Sequence, residues 1–255
     1  MQDPYLYPNT DVLKNKFHLL EENKLKDAEA DYVILCLAEL VVQEPIQVFD
    51  FDSLCKMHYQ IFRDVFEWAG KPRIINIEKA EIPLGGLSVE YADVFDVEKE
   101  AGTILAEMNR FEWEKAAFDD IVSHFTDFMA RLWKVHPFRE GNTRTIVTYC
   151  AMFIEEQGIF IDSELFQNHI EYMRRALVAA SAVFQKLGDL RKPEYLQRLV
   201  RDALERGKRI QEDAITRIRR AGYQATTELV HKVIFWDRQE NRLHSEEEIG
   251  IFLRI

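Results

Sequence analysis

The sequence predicts a mainly α-helical fold: a helical bundle carrying one β-hairpin and a helical C-terminal extension. Three observations carry this. Apolar residues recur at helical spacing near 10–20, 27–44, 51–66, 93–111, 117–134, 142–157, 163–184 and 193–220. Only residues 73–91 read convincingly as strand. Ten glycines and seven prolines in 255 residues are too few for a loop-rich chain, and 47% hydrophobic residues suffice for a real core. That length holds one large domain, or a domain with an appendage.

In chain order, Asp27-Ala28-Glu29-Ala30-Asp31 opens a helix running through Leu35, Leu37, Leu40 and Val41. The hairpin is read from the β-branched run Arg73-Ile74-Ile75-Asn76-Ile77-Glu78-Lys79, the turn Leu84-Gly85-Gly86-Leu87 and the return arm Ser88-Val89-Glu90-Tyr91. Asp119-Asp120 and Asp162-Ser163 are helix starts. After Pro193 the composition shifts, which divides the chain into residues 1–195 and an extension, 196–255. Charges alternate densely over 199–222 beside the apolar stripe Val200, Ala203, Leu204, Ile210, Ile215 and Ile218, as in a long amphipathic helix packed on the core or on a partner. Arg217, Arg219 and Arg220 read as solvated surface, and Val230-Ile234-Trp236 as a strand. The apolar close Ile249-Ile251-Phe252-Leu253 fits a small appendage or a contact in a homo-oligomer.

Composition excludes some functions. A net charge of −11, from 44 acidic and 33 basic residues, disfavours direct nucleic-acid binding. Cys36, Cys55 and Cys150 are odd in number and widely spaced, so neither a disulfide framework nor a zinc site follows, and a reducing compartment fits. No apolar run reaches membrane-spanning length, and Met1-Gln2-Asp3-Pro4 has no signal-peptide character. The expectation is a cytoplasmic protein with no membrane contact, with export by another route left open.

The chemistry is concentrated in Val135-His136-Pro137-Phe138-Arg139-Glu140-Gly141-Asn142-Thr143-Arg144-Thr145. A helix carrying Ile121, Phe125, Phe128, Met129, Leu132 and Trp133 should end near Pro137, because the residue before a proline is pushed out of helical geometry. His136 then sits at a helix C-terminus facing a loop, where an imidazole can take a proton near neutral pH. Phe138 anchors the loop. Glu140 offers hard oxygens suited to Mg²⁺ on phosphates. Gly141-Asn142 opens a second helix, through Ile146, Val147, Tyr149, Cys150, Met152, Phe153 and Ile154 to Gly158, and so presents free N–H groups and the positive dipole end to an anion. Arg144 adds forked donors for phosphate oxygens.

At these residues the chain resembles the Fic family, whose signature is H-x-F-x-(D/E)-G-N-G-R-x-x-R. His136, Phe138, Glu140, Gly141, Asn142 and Arg144 match it, and Pro137 and Arg139 fit its common form. The resemblance implies a helical Fic-type bundle with the hairpin as a flap over the active site. It implies a protein adenylyltransferase that moves AMP from ATP, with Mg²⁺, to a Tyr, Thr or Ser hydroxyl of a target protein. In those terms His136 is the general base and Glu140 holds the metal. Gly141, Asn142 and Thr143 line the phosphate cradle, with Asn142 also touching phosphate, and Arg144 grips the β-phosphate. Phe66-Glu67-Trp68-Ala69-Gly70-Lys71 resembles the family's lead into the flap, whose residues Ile75, Asn76, Ile77, Glu78 and Lys79 would dock the target by strand addition. Pro4-Tyr5-Leu6-Tyr7-Pro8 and Thr10–Lys16 resemble the family's opening, and the likeness covers roughly residues 4–200. Tyr172 and Leu177 would lie on the adenine side, or be plain helical core.

Two residues depart from the signature. Thr143 replaces the second glycine, and a β-branched residue disfavours positive φ, so the local φ is negative or the loop is shifted. Val147 stands where the family has its last arginine, which leaves terminal-phosphate seating and the usual glutamate inhibition in question. The family's inhibitory (S/T)-x-x-x-E-(G/N) pattern is absent: Thr103 to Glu107 ends in Met108 and lies between flap and signature. A separate small antitoxin, or no such inhibitor, is expected. Thr143 keeps a Doc-like phosphotransferase or transfer of another nucleotide open, and Thr143 with Val147 a catalytically weak binding protein. The reading also has a condition: in a crystal soaked with magnesium nucleotide, a bend left empty or an imidazole buried away from solvent sinks it.

Overall fold

The computed structural model describes residues 3–40 and 46–254, so residues 41–44 of the expected first helix lie outside the described residues. Its helices are α1 (Glu22–Leu40), α2 (Phe51–Phe62), α3 (Val97–Arg110), α4 (Phe118–Val135), α5 (Asn142–Glu156), α6 (Glu164–Asn168), α7 (Ile170–Ala180), α8 (Glu194–Arg220), α9 (Thr227–Glu240) and α10 (Glu246–Phe252). Strands β1 (Val183–Phe184) and β2 (Gly188–Asp189) form a short antiparallel hairpin.

Helix α4 is the axis, packed against α3, α5, α7 and α8. It buries Ile121, Val122, Phe125, Phe128, Met129, Leu132 and Trp133, the stripe that periodicity marks. Ordering that stripe against neighbours on four sides fixes where the helix ends, and the site begins there. Helix α2 starts with a capping box in which the Asp50 carboxylate accepts from Ser53 N–H and the Ser53 hydroxyl accepts from Asp50 N–H. Tyr149 of α5 donates to the Asp50 carbonyl at 2.9 Å, which ties α5 to the start of α2.

Helix α8 joins two cores. Leu196, Val200, Ala203 and Leu204 belong to the main core. Ala214 and Ile218 belong to a second cluster with Phe160, Val230, Val233, Ile234 and Ile249. Gly207 lies where α8 crosses the 160–161 segment, and a Cβ there would come within 2.2 Å of the Phe160 carbonyl. The second cluster has a polar lock. The buried Arg217 donates to Asp237 at 2.6 Å and Asp213 at 2.7 Å, and to the His244 carbonyl at 3.0 Å. Arg217 is therefore not the solvated surface residue that the sequence suggests.

Four expectations are corrected. Residues 10–20 form turns and a single Leu6–Leu13 bridge rather than a helix. The Asn15 amide takes over the local backbone, donating to the carbonyls of Leu13 and Leu19 at 2.9 Å and accepting from Leu19 N–H at 3.0 Å. The stretch 163–184 breaks at His169 into two helices and the β1 strand. Residues 230–236 are helix, not strand: Val230, Val233, Ile234 and Asp237 are buried at 3.6-residue spacing, and that period overrides local β-propensity. Finally, the arms 73–79 and 88–91 fold back on each other without forming strands. Glu81 N–H donates to the Leu87 carbonyl and Lys79 N–H to the Ser88 hydroxyl, but no ladder follows.

Candidate functional site

Helix α4 stops where Pro137 requires it to. His136 adopts φ 52° and ψ 60° and donates its N–H to the Trp133 carbonyl. This left-handed turn swings the imidazole under the flap. Nδ1 lies 3.3 Å from the same Trp133 carbonyl, so Nδ1 carries the proton and donates, which leaves a lone pair on Nε2. Nε2 is buried and has no partner. Burial first, and the Lys79 charge second, push the imidazole well below its ordinary value, so it is neutral at neutral pH.

The loop is held by residues that use up their polar atoms. The Asn142 amide accepts from Phe138 N–H at 2.9 Å and donates to the Phe138 carbonyl at 2.7 Å. Its side chain closes the turn with one N–H and the carbonyl oxygen, which leaves the second N–H of the amide without a protein partner. Phe138 is fully buried, stacked on His58 with ring centroids 3.8 Å apart. His58 accepts from Gly70 N–H at Nδ1 and donates from Nε2 to the Glu140 carbonyl at 3.0 Å. Desolvation carries it down to about 3. Arg139 points away from the site onto Asp3.

Gly141 is N-cap of α5 at φ 81°. A Cβ there would lie 2.3 Å from the Phe62 ring, so both the backbone and the space demand glycine. No side chain caps this helix end. Thr143 lies inside the first turn of α5, where φ is negative, and its hydroxyl accepts from Trp133 Nε1 at 3.0 Å. The β-branched residue therefore braces α4 against α5 without straining the loop. Val147 is buried core, 5% exposed.

Glu140 keeps a third of its side chain exposed, and its Oε1 accepts from Gly141 N–H. Burial works to raise this carboxyl, yet Lys79 and the Gly141 N–H outweigh it and hold the group at about 2. An ionised, hard-oxygen carboxylate at a helix N-terminus suits Mg²⁺. Among the described residues no cluster of three His, Cys, Asp or Glu could hold a metal alone. The donor set therefore fits a magnesium ion that takes its other ligands from phosphates and water.

The flap covers this floor. Lys79 Nζ lies 2.8 Å from Glu140 Oε2. The Tyr91 ring lies over the imidazole with centroids 4.1 Å apart, and His136 is only 3% exposed. The expectation of an imidazole open to solvent is thus not met: the flap lies on it, and access requires Tyr91 to move. Residues 74–80 alternate outward and inward, Ile75, Ile77 and Lys79 half-buried and Ile74, Asn76, Glu78 and Ala80 exposed. Among the described residues this stretch makes no backbone–backbone hydrogen bond. Side chains hold it at both ends, Ile74 N–H on the Tyr5 hydroxyl and Lys79 N–H on the Ser88 hydroxyl, and the extended backbone between, free of any ladder, has the form that strand addition uses.

Tyr172 is on the surface of α7, 46% exposed, whereas Leu177 is fully buried. Leu177 is core, with no surface left for a base. Glu107 pairs with Arg131 on α3 and α4.

Three residues that sequence reasoning missed organise the site. Arg73 donates to the His136 carbonyl at 2.9 Å, to Ile75 O at 2.8 Å and to Ala92 O, clasping both flap arms to the loop. His58 is the second. Glu29 of α1 is the third, an ion-pair partner of Arg144. Its signal was available: Glu29 falls on the buried stripe Leu25, Val33, Cys36 and Leu40, and a carboxylate on an apolar stripe asks for a cation.

The family model for Fic/DOC matches residues 48–154. The probable protein adenylyltransferase y4lH of Sinorhizobium fredii is 32% identical over 167 residues, 64% of this chain and 80% of that one. Protein adenylyltransferase VbhT of Bartonella schoenbuchensis is 30% identical over 161 residues, 63% of this chain, and the match spans 32% of VbhT's length. Among solved structures, the BepC protein of Bartonella tribocorum with bound AMPPNP superposes with a TM-score of 0.64 at 22% identity, covering 78% of this chain and 95% of that one. The N-terminal Fic domain of a Bartonella quintana cell filamentation protein with bound ADP gives 0.62 at 23%, covering 78% and 93%. Both likenesses concern the fold.

Proposed function

The chain belongs to the Fic/DOC family, and from that premise we propose that it is a protein adenylyltransferase, moving AMP from ATP to a side-chain hydroxyl of a target protein. The carrying observation is the unpartnered Nε2 of His136, a neutral imidazole's lone pair held beside an ionised Glu140 and the uncapped start of α5. A base with its proton fixed on Nδ1 can accept one only at Nε2. The target oxygen forms a bond to the α-phosphorus as its proton passes to His136 Nε2, and the bond to the departing pyrophosphate breaks. Positioning and charge stabilisation carry most of the rate. The first-turn N–H groups of α5 and the Arg144 guanidinium face the phosphates, and the ladder-free backbone between Ile74 and Lys79 takes the target segment. Glu140 would hold Mg²⁺, which neutralises phosphate charge when bound.

Two further readings start from sequence. Thr143 motivates phosphotransfer, but its hydroxyl is engaged with Trp133, which removes the steric reason for it. A binding-only protein would have no use for a buried base without a partner. Control by a separate small inhibitor protein belongs to the same proposal.

Incubation of the protein and of His136→Ala with lysate, Mg²⁺ and ATP labelled at the α- or γ-phosphate tests this. Label from α alone, at least a hundredfold weaker in the variant, is expected. Label from γ alone would establish phosphotransfer, and no His136-dependent label would leave the binding-only reading.

A further inference from the structure

We propose that Lys79 is a phosphate-binding residue of the nucleotide site, parked on Glu140 only while no metal–nucleotide is present. The inference rests on the adenylyltransferase reading and adds a residue to it. It also revises the placement of Lys79 among the residues that dock the target.

The cations of the loop and the flap differ in what they are paired with. Arg139 donates twice to Asp3. Arg73 is spent on the carbonyls of Ile75, Ala92 and His136. Arg144 is paired with Glu29, itself buried, and lies over the Phe62 ring at 4.8 Å. None of these partners is a group that a divalent ion on Glu140 would claim, and the five N–H donors of Arg144 allow it to keep Glu29 while it faces a phosphate. Lys79 differs, because its partner at 2.8 Å is Glu140, the carboxylate that a divalent ion would claim. An ion on Glu140 displaces the ammonium and leaves it uncompensated in a site that has just received a polyanion. Oxygens sharing one magnesium sphere lie about 3 Å apart, so phosphate oxygens on that ion come within reach of the same ammonium.

Placement supports this. Lys79 is one of the inward positions of the alternating 74–80 segment, and its side chain is only 21% exposed. Its backbone is fixed by the N–H to the Ser88 hydroxyl at 3.0 Å, so the side chain cannot be carried far from the site while that bond holds. No cation stands at position 147 on α5, where Val147 is packed into the core. Lys79 supplies one from the opposite wall. The same residue thereby links nucleotide to flap: the segment that would pair with a target strand is the one whose lysine changes partner when the nucleotide binds.

Titration calorimetry of AMPPNP with Mg²⁺, and of adenosine, on wild type, Lys79→Met and Lys79→Arg tests the assignment, with Mn²⁺ alone followed by its electron paramagnetic resonance. Expected are a tenfold or greater loss of AMPPNP affinity in Lys79→Met, adenosine affinity within twofold of wild type, and recovery of most of the loss in Lys79→Arg. Mn²⁺ without nucleotide should bind Lys79→Met more tightly than wild type, since the competing ammonium is gone. AMPPNP binding that is unchanged or tighter in Lys79→Met would overturn the inference and make Lys79 a plug. Equal losses for AMPPNP and adenosine would also overturn it, marking a structural role. A wild type that binds neither compound sinks the nucleotide reading itself, before any variant is compared.

Discussion

The loop between α4 and α5 and the flap above it meet through Lys79 on Glu140, Tyr91 on His136 and Arg73 on the carbonyls of His136 and Pro137, yet they are held by opposite means. In the loop side chains are tied to fixed partners: Asn142 to the Phe138 backbone, His58 to the backbone of Gly70 and Glu140, and the Thr143 hydroxyl to the Trp133 indole. In the flap the backbone over 74–80 makes no backbone–backbone bond among the described residues, and side chains do the holding, chiefly Arg73, Asn76, Glu81, Tyr5 and Ser88. A rigid floor keeps catalytic atoms where a transition state needs them. A cover fastened by side chains can leave. The same contrast separates two buried histidines, since His58 has both ring nitrogens bonded and His136 has one left over.

The largest expected effect comes from breaking the floor at its tightest point. Gly141→Ala forces a Cβ into the Phe62 ring and a left-handed φ on alanine. The two costs together are about 2–5 kcal/mol. Thermal melting should show a fall of that size, with nucleotide affinity lost alongside. The equivalent change in the flap, Gly85→Ala, meets no atom within 4 Å and should cost only the φ term. If the two variants melt alike, the floor is not the rigid partner.

Asn142→Ala strips two buried backbone groups of Phe138 of their partners, for about 2–4 kcal/mol. Asn142→Asp keeps the acceptor and loses the donor, and should fall between. Equal stability for all three in chemical denaturation would leave the amide with a role in phosphate contact alone.

How much of this was legible beforehand follows the same divide. Floor residues are neighbours in sequence, so Val135 to Thr145 displays base, carboxylate, glycine and arginine in one line. The helix ends are local too, since Pro137 and Gly158 punctuate the chain where α4 and α5 stop. What lies above and behind is assembled from afar. Glu29 stands 115 residues from Arg144 and Lys79 stands 61 from Glu140, and no periodicity links them. The loop-closing role of the Asn142 side chain is not legible either, because a Gly-Asn helix start looks the same whether or not the amide also ties its own loop. The strand reading at 230–236 failed because β-branched residues were weighed ahead of the burial period they keep.

Acid should distinguish the two histidines. A buried neutral imidazole costs stability only once the unfolded chain can take its proton, so the loss begins as pH falls below about 6.5 and continues toward the lowered folded value. Both His58 and His136 contribute with that sign. His231 is lowered too, while Glu155, raised by burial to about 7, works against them in the same window. The readable quantity is therefore a difference. Between pH 6 and 5, wild type should lose about 1.4 kcal/mol more per pH unit than His136→Asn, one proton's worth. Asparagine tolerates the left-handed φ of this position, so the backbone is respected. Parallel slopes for the two proteins would mean that His136 is reached by water in the resting state.

The smallest change in stability attaches to the cover itself. Tyr91→Phe removes only a long 3.4 Å bond from the hydroxyl to Glu81 and should leave stability within about 0.5 kcal/mol. It keeps the ring over the imidazole. Tyr91→Ala removes that ring and opens Nε2 to solvent. Diethyl pyrocarbonate attacks a neutral imidazole nitrogen that carries a lone pair, so carbethoxylation at His136, located by peptide mass spectrometry, should run several-fold faster in Tyr91→Ala and unchanged in Tyr91→Phe. His58, whose nitrogens are both bonded beneath the floor, should stay unreactive in all three proteins. Were His136 modified equally fast in wild type and Tyr91→Ala, the flap would already spend most of its time away from the site, and its burial of the base would have no part in controlling access.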